Sequence, residues 1–375
     1  MDARTRYLET LRFGRPDRVP LVPGHPREST LAAWHQQGLQ PGVDYRDALA
    51  DLLDIPREAF ETTVRIPISF RMEPPFEEKI LAHRDGHYIV QDCMGAIVEI
   101  ADTYDPSYLR EAKDFVTRRW LHFPVSNRTD WERITWRYRP DDPRRFPVNW
   151  EQVKREIGNC GQATILHIHG PFWQLREWVG LETLCLLMVD DPQFVLEMVD
   201  FWRRFTLQLL ARVLAEIHVD IVFVSEDMAY KAHSMISPEM ARRFLLPVYR
   251  DWHALLSTMG CTILEMDSDG YVAELLPIWA EAGFNCCFPL EIAAGNDPLA
   301  YRQRFGHRIA FHGAIDKRAL AKGGEEMRRA VYDIAEPLLA DGGYLPSCDH
   351  ALPSDIPWPH MVAYTDLLAR LTGWR

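Results

Sequence analysis

From residue 150 onward the chain alternates short apolar runs with longer amphipathic ones, and this rhythm restricts the fold more than any other feature. Six short runs read as strands: ATILHIHG (163–170), DIVFVSED (220–227), CTILEMDSD (261–269), FNCCFPLE (284–291), IAFHGAID (309–316) and YLPSCDH (344–350). Helical spacing covers 173–188, 192–217, 238–258, 271–282, 317–340 and 358–371. Asp191-Pro192 and Ser237-Pro238 each supply a capping side chain followed by proline at the first helical position. Continuous apolar strands, each followed by a helix, are buried on both faces, as parallel βαβ units require. RVPLVPG (18–24) reads as one more strand and brings the count close to eight. The order favours a (β/α)8 TIM barrel over an open doubly wound sheet. No G-x-G-x-x-G follows the first strand, which argues against a dinucleotide-binding fold.

The whole chain, 1–375, reads as one barrel domain, opened by a helix from Ala3 to Arg12. Residues 60–125 break the rhythm. They are rich in β-branched residues and carry turn signals at Arg84-Asp85-Gly86 and Met94-Gly95. This predicts antiparallel hairpins forming an insertion or lid in the N-terminal third. Residues 137–147, rich in proline and charge, read as a connector.

Charge and cysteine usage limit the function. A net charge of −12 argues against nucleic acid or an anionic membrane as partner. Seven cysteines, an odd number with no C-x-x-C pair, indicate reduced thiols and a cytoplasmic protein. The charged N-terminus has no apolar signal core, and no run approaches a membrane span.

In a parallel barrel the C-terminal ends of the strands form the active face. Here those ends carry His167 and His169, Glu226 and Asp227, Asp267 and Asp269, Glu291, His312 and Asp316, then Cys348, Asp349 and His350. Alternation along a strand would point Asp267 with Asp269, His167 with His169, and Cys348 with His350. Each residue also has a plain structural role open to it. Asp316, before Lys317-Arg318, suits a helix cap, and Cys286-Cys287 suits packing. An unpaired carboxylate as deep as Asp267 is costly, which favours use. Asp, His and Cys together suit a divalent metal, zinc first, iron or manganese next.

Several stretches resemble the uroporphyrinogen decarboxylase superfamily: RYLETLRFGRPDRVPLVPG, GPFWQLREWVGLETLCLLMVDDPQFVLEMVD, VSEDMAYKAHSMISPEMARRFLLPVYRDW, LLPIWAEAGFNCCFPLE, FHGAIDKRAL and GGYLPSCDHALPSDIPWPHMVAYTDLL. The likeness runs from about residue 3 to 371 and is weakest across 55–150. It implies a (β/α)8 barrel with the site at its mouth. Two chemistries occur in that superfamily: cofactor-free porphyrinogen decarboxylation, and zinc-dependent methyl transfer between a corrinoid protein and a thiol. The decarboxylases carry an Arg-rich segment after the first strand; the matching VPGHPREST has only Arg27, which argues against an octa-acid substrate. The methyltransferases carry H-x-C where Asp267 and Asp269 stand here, and a further cysteine near Cys348. His350 matches the histidine after the decarboxylases' last strand.

The resemblance implies metal-assisted methyl transfer, with Asp267, Asp269, His350 and Glu226 catalytic. His169, Arg27, His312 and Glu291 would bind substrate. Asp267, Asp269, Cys348 and His350 would hold the metal. It also implies a small-molecule substrate, a corrinoid protein as partner, and a homodimer. Two other readings stay open. One is a decarboxylase or lyase using Asp267 or Asp269 as acid/base; the other is a non-catalytic binding protein.

Overall fold

The computed structural model describes residues 1–111, 114 and 116–375. Its first strand, β1 (Thr63–Arg65), is followed by β2 (Lys79–Arg84), β3 (His87–Gln91), β4 (Ile97–Ala101) and β5 (Arg118–His122). Six strands then match the six predicted runs: β6 (Ala163–His169), β7 (Ile221–Ser225), β8 (Ile263–Asp267), β9 (Cys286–Phe288), β10 (Ala310–Ile315) and β11 (Tyr344–Cys348). β1 and β6 to β11 form one curled parallel sheet in the order β1-β6-β7-β8-β9-β10-β11.

Alternation sorts the side chains of this sheet. Ile165, His167, Phe223, Glu265, Phe288 and His312 face an internal cavity. Leu166, Ile168, Val222, Val224, Leu264 and Met266 pack outward into the main core with the helices. The helix Ala3–Leu11 covers the sheet's N-terminal end. Its Tyr7, Leu8 and Leu11 pack on Ala163, Ile165, Ile221 and Ile263, and Arg4 pairs at 2.8 Å with Asp220, just before β7. The internal cavity therefore opens toward the C-terminal strand ends.

The sheet has seven strands, and 18–24 is not an eighth. Pro20 and Pro23 lack the N–H groups a ladder needs. The segment instead runs extended between β11 and β1, tied at separate points. Leu21 N–H donates to Ala59 (2.8 Å), Arg27 N–H to Leu352 (3.3 Å) and Leu352 N–H to His25 (2.8 Å). Among the described residues no ladder joins β11 to β1.

The 60–125 stretch divides. Its first residues give β1 to the parallel sheet, while β2 to β5 form a separate antiparallel sheet. A strand of three residues is too short for its sequence to reveal its partner. The Arg84-Asp85-Gly86 turn joins β2 to β3, with Asp85 and Gly86 both at positive φ. Val90, Val98, Ile100 and Val116 give this sheet its own small core. Residues 112, 113 and 115 of the stretch lie outside the described residues.

Three predicted helices are broken. Gly180 separates Pro171–Val179 from Leu181–Asp190, at φ 82° and with the Phe123 ring where a Cβ would stand. Pro247 follows the break between Pro238–Phe244 and Leu246–Thr258. Gly323 separates Lys317–Lys322 from Gly324–Asp341. The predicted caps are present: Asp191 accepts from Phe194 N–H and Ser237 from Met240 N–H, each at 3.1 Å.

The connector 137–147 is clamped rather than loose. Arg145, almost fully buried, donates to four carbonyls: Arg139 (2.6 Å), Ser69 (3.0 Å), Arg71 (2.8 Å) and Arg137 (2.9 Å). No helix among the described residues is long and apolar enough to cross a membrane. All seven cysteines are unpaired.

Candidate functional site

The internal cavity holds about 380 Å³. Register places its walls. His167 lies opposite Phe223, Phe223 opposite Glu265, and Asp267 opposite Phe288. A belt of rings follows, with His167 on Phe223 at 4.7 Å, Phe223 on Phe288 at 5.8 Å and Phe288 on His312 at 4.6 Å between centroids. Below the belt, His312 Nδ1 meets Glu265 Oε1 at 2.8 Å. The other atoms of that pair, Glu265 Oε2 and His312 Nε2, are buried without a partner. Both residues line the cavity, and buried polar atoms without a partner call for an explanation.

At the mouth three loops converge. Asp269 follows β8, Glu291 follows β9 and His350 follows β11. Each offers a ligand atom, and these atoms lie within 4.8 Å of one another. His350 Nε2 is 3.1 Å from Asp269 Oδ2, and that hydrogen bond raises the imidazole pKa above its ordinary value. Glu291 is fixed from two sides, by Gly270 N–H to Oε2 (2.9 Å) and by Lys317 Nζ to Oε1 (2.7 Å). Lys317 is held in turn, since its N–H donates to Asp349 Oδ1 (3.0 Å) while Asp349 Oδ2 accepts from Ile292 N–H (2.9 Å). Burial pushes the Asp349 carboxyl up to about 6.

Two carboxylates and one imidazole are a donor set that suits zinc, iron(II) or manganese. Coordination through His350 Nε2 needs the proton on Nδ1, and the Ala351 carbonyl, 3.3 Å from Nδ1, is the acceptor for it. A cation at this point competes with Lys317 for Glu291 Oε1. The residues present fit a divalent ion.

The four ligands named from sequence are not the group that converges. Asp269 and His350 belong to it, joined by Glu291, which sequence had assigned to substrate. Asp267 and Asp269 do not share a face as strand alternation predicts. β8 stops at Asp267, and the chain turns at Gly270, whose φ is 82°. Asp267 instead accepts from Ser225 Oγ (2.9 Å). Burial first, then the nearby Asp269, pushes its carboxyl up to about 8. Cys348 lines the cavity but stands outside the converging group, and burial pushes its thiol far up.

Glu226 is buried behind the wall. Its Oε2 accepts from Trp173 N–H (2.8 Å) and its Oε1 from Phe172 N–H (3.4 Å) and the Tyr249 hydroxyl. It thus caps the helix Pro171–Val179, and a Cβ on Gly170 would lie 2.0 Å from its Cδ. Burial pushes its pKa up to about 7. His169 lies 3.7 Å from Glu177 and beside the Trp173 ring, next to a second cavity. Arg27 Nη2 lies 3.5 Å from His350 Nδ1 and, as a pure donor, competes there with the Ala351 carbonyl. Asp316 is a helix cap, accepting from Arg318 N–H (2.9 Å).

Sequence reasoning missed Glu265, Lys317 and Arg145. Glu265 was legible as a carboxylate two residues before Asp267 within an apolar strand. The others declare themselves only through tertiary partners.

No curated protein matches the chain by sequence. Among solved structures, a methyltransferase from Methanosarcina mazei is similar over 99% of both chains, with 16% identity and a TM-score of 0.59. A B12-independent methionine synthase from Shewanella sp. aligns over 60% of this chain and 65% of its own, at 12% identity and a TM-score of 0.40. A putative vitamin-B12 independent methionine synthase from Listeria monocytogenes aligns over 95% and 96%, at 9% identity and a TM-score of 0.41. The first of these shares the fold. The sequence pattern described as uroporphyrinogen decarboxylase (URO-D) matches residues 122–371, which contain six of the seven parallel strands and all three converging loops. By that match, the chain belongs to the uroporphyrinogen decarboxylase family.

Proposed function

We propose that the chain is a metal-assisted methyl-transferring enzyme working at the C-terminal mouth of the curled sheet. Asp269, Glu291 and His350 hold the cation, zinc before iron or manganese. The observation that carries this reading is the convergence of their ligand atoms within 4.8 Å, beside a cavity that Asp269 and His350 both line. The fold shared with a methyltransferase supports it.

When bound, a divalent cation lowers the pKa of a thiol or hydroxyl and so supplies the nucleophile that accepts a methyl group. The chain's own residues do the rest. The Gly270 N–H orients Glu291. The Ala351 carbonyl offers an acceptor for a proton on His350 Nδ1. Phe223 and Phe288 exclude water from the cavity, and Glu265 with His312 offers hydrogen bonds to a polar substituent. A corrinoid protein is the proposed methyl source and a small molecule the proposed substrate. We further read the β2 to β5 sheet as an insertion covering the barrel, the parallel sheet as a closed barrel, and the assembly as a homodimer.

Elemental analysis of protein purified without chelator or metal-affinity tag tests the central point. About one equivalent of zinc, iron or manganese is expected, lost in Asp269→Asn and in Glu291→Gln while both variants stay folded. A folded wild-type chain that binds none of these ions refutes the proposal and turns the reading to lyase chemistry with Asp267 as acid.

A further inference from the structure

A second cavity of about 460 Å³ adjoins the first at His167, which lines both. Its chemistry is opposite. Glu265 and Asp269 face the first cavity; Arg65, Arg71, His167 and His169 face the second, and no carboxylate does. Neither the Arg65 nor the Arg71 guanidinium has a hydrogen-bond or ion-pair partner among the described residues. The Glu177 carboxylate, 3.7 Å from His169, is the one counter-charge at their edge among the described residues, so the cavity keeps an excess of positive charge that suits an anion.

The frame that presents them is rigid. Arg65 ends β1. The following turn is held from behind by Arg145, which donates to Ser69 O (3.0 Å) and Arg71 O (2.8 Å). Ser69 Oγ donates to Glu73 (2.8 Å), and buried Phe70 packs against Phe205. His167 stands between the cavities; burial pushes its pKa down to about 4, so it divides them without adding charge.

We propose that the substrate is a small organic acid whose anionic group docks on Arg65, Arg71 and His169, while its reacting end passes His167 toward Asp269. The guanidinium fork matches the oxygens of a carboxylate, sulfonate or phosphate. The reacting end rests on the methyl-transfer reading. The anion site does not.

The test titrates wild-type protein with sodium sulfate at constant ionic strength, read by calorimetry and by the fluorescence of Trp173, whose ring is 5.2 Å from that of His169. Sulfate is expected to bind with a Kd of about 1 mM or tighter. Arg65→Gln and Arg71→Gln should each weaken it by roughly tenfold, the size of one charge-assisted contact. Both arginines are exposed, so the variants keep the wild-type unfolding midpoint and metal content. Arg155→Gln, on the helix Trp150–Asn159, should change nothing. Absence of sulfate binding in the wild type, or binding unmoved by both variants, overturns the proposal. The two readings fail separately: Asp269→Asn should lose metal and keep sulfate, and a wild-type chain that binds sulfate but no metal refutes only methyl transfer.

Discussion

Replacing Glu226 with glutamine separates a structural carboxyl from a catalytic one. Glu226 is fully buried and held near pH 7 by desolvation, although Tyr249 and the Trp173 and Phe172 N–H groups all favour its charged form. In the unfolded chain it releases its proton near the ordinary 4.5. Between those values the folded state binds a proton that the unfolded state has lost, so stability falls as pH rises from about 4.5 to about 7 and is flat above. At 1.36 kcal/mol per pH unit the loss is about 3 kcal/mol by pH 8. Glutamine mimics the protonated acid. Its carbonyl can accept from Trp173 N–H, and its amide can donate to the Tyr249 oxygen, so only the long bond to Phe172 weakens. Urea unfolding at pH 5 and pH 8 provides the assay. The difference in unfolding free energy, Glu226→Gln minus wild type, should shift in favour of the variant by about 2.5 kcal/mol between the two. If it does not change with pH, Glu226 does not titrate as its burial demands and the capping argument fails. Metal content should be the same in both proteins.

Two further substitutions probe the frame and the site. Arg145→Met takes one donor from each of four carbonyls, of which Arg137 and Arg139 keep a backbone donor, and should lower stability by about 3 kcal/mol in denaturant unfolding while weakening sulfate binding through the Arg71 turn. Lys317→Met removes the competitor at Glu291 Oε1 and should tighten zinc binding by about tenfold in calorimetry; weaker binding would show instead that Lys317 aims Glu291 at the ion.

The parallel strands were legible because burial on both faces leaves unbroken apolar runs, and their polar C-terminal residues marked the mouth of the fold. What escaped was whatever alternation does not govern. Strand geometry carries Asp267 to Ser225, but β8 stops there and the chain, turning at Gly270, sends Asp269 toward His350 instead. Glu291 looked like a substrate ligand because Lys317, which holds it, lies 26 residues away in the sequence. Arg65 and Arg71 sat in a stretch assigned wholly to hairpins, so β1 and the cationic cavity beside it went unread. Arg145 looked like part of a charged connector, since nothing in a sequence shows that a guanidinium has been turned inward onto carbonyls.

Between β11 and β1 lies a seam that no ladder crosses among the described residues. The strap of residues 19–27 fills that seam and is tied at separate points, through Val19, Leu21, Gly24, His25 and Arg27. Arg65 stands on one lip of the seam and His350 beyond the other. The short way from the cationic cavity to the Asp269–Glu291–His350 cluster therefore crosses this strap and not a strand ladder.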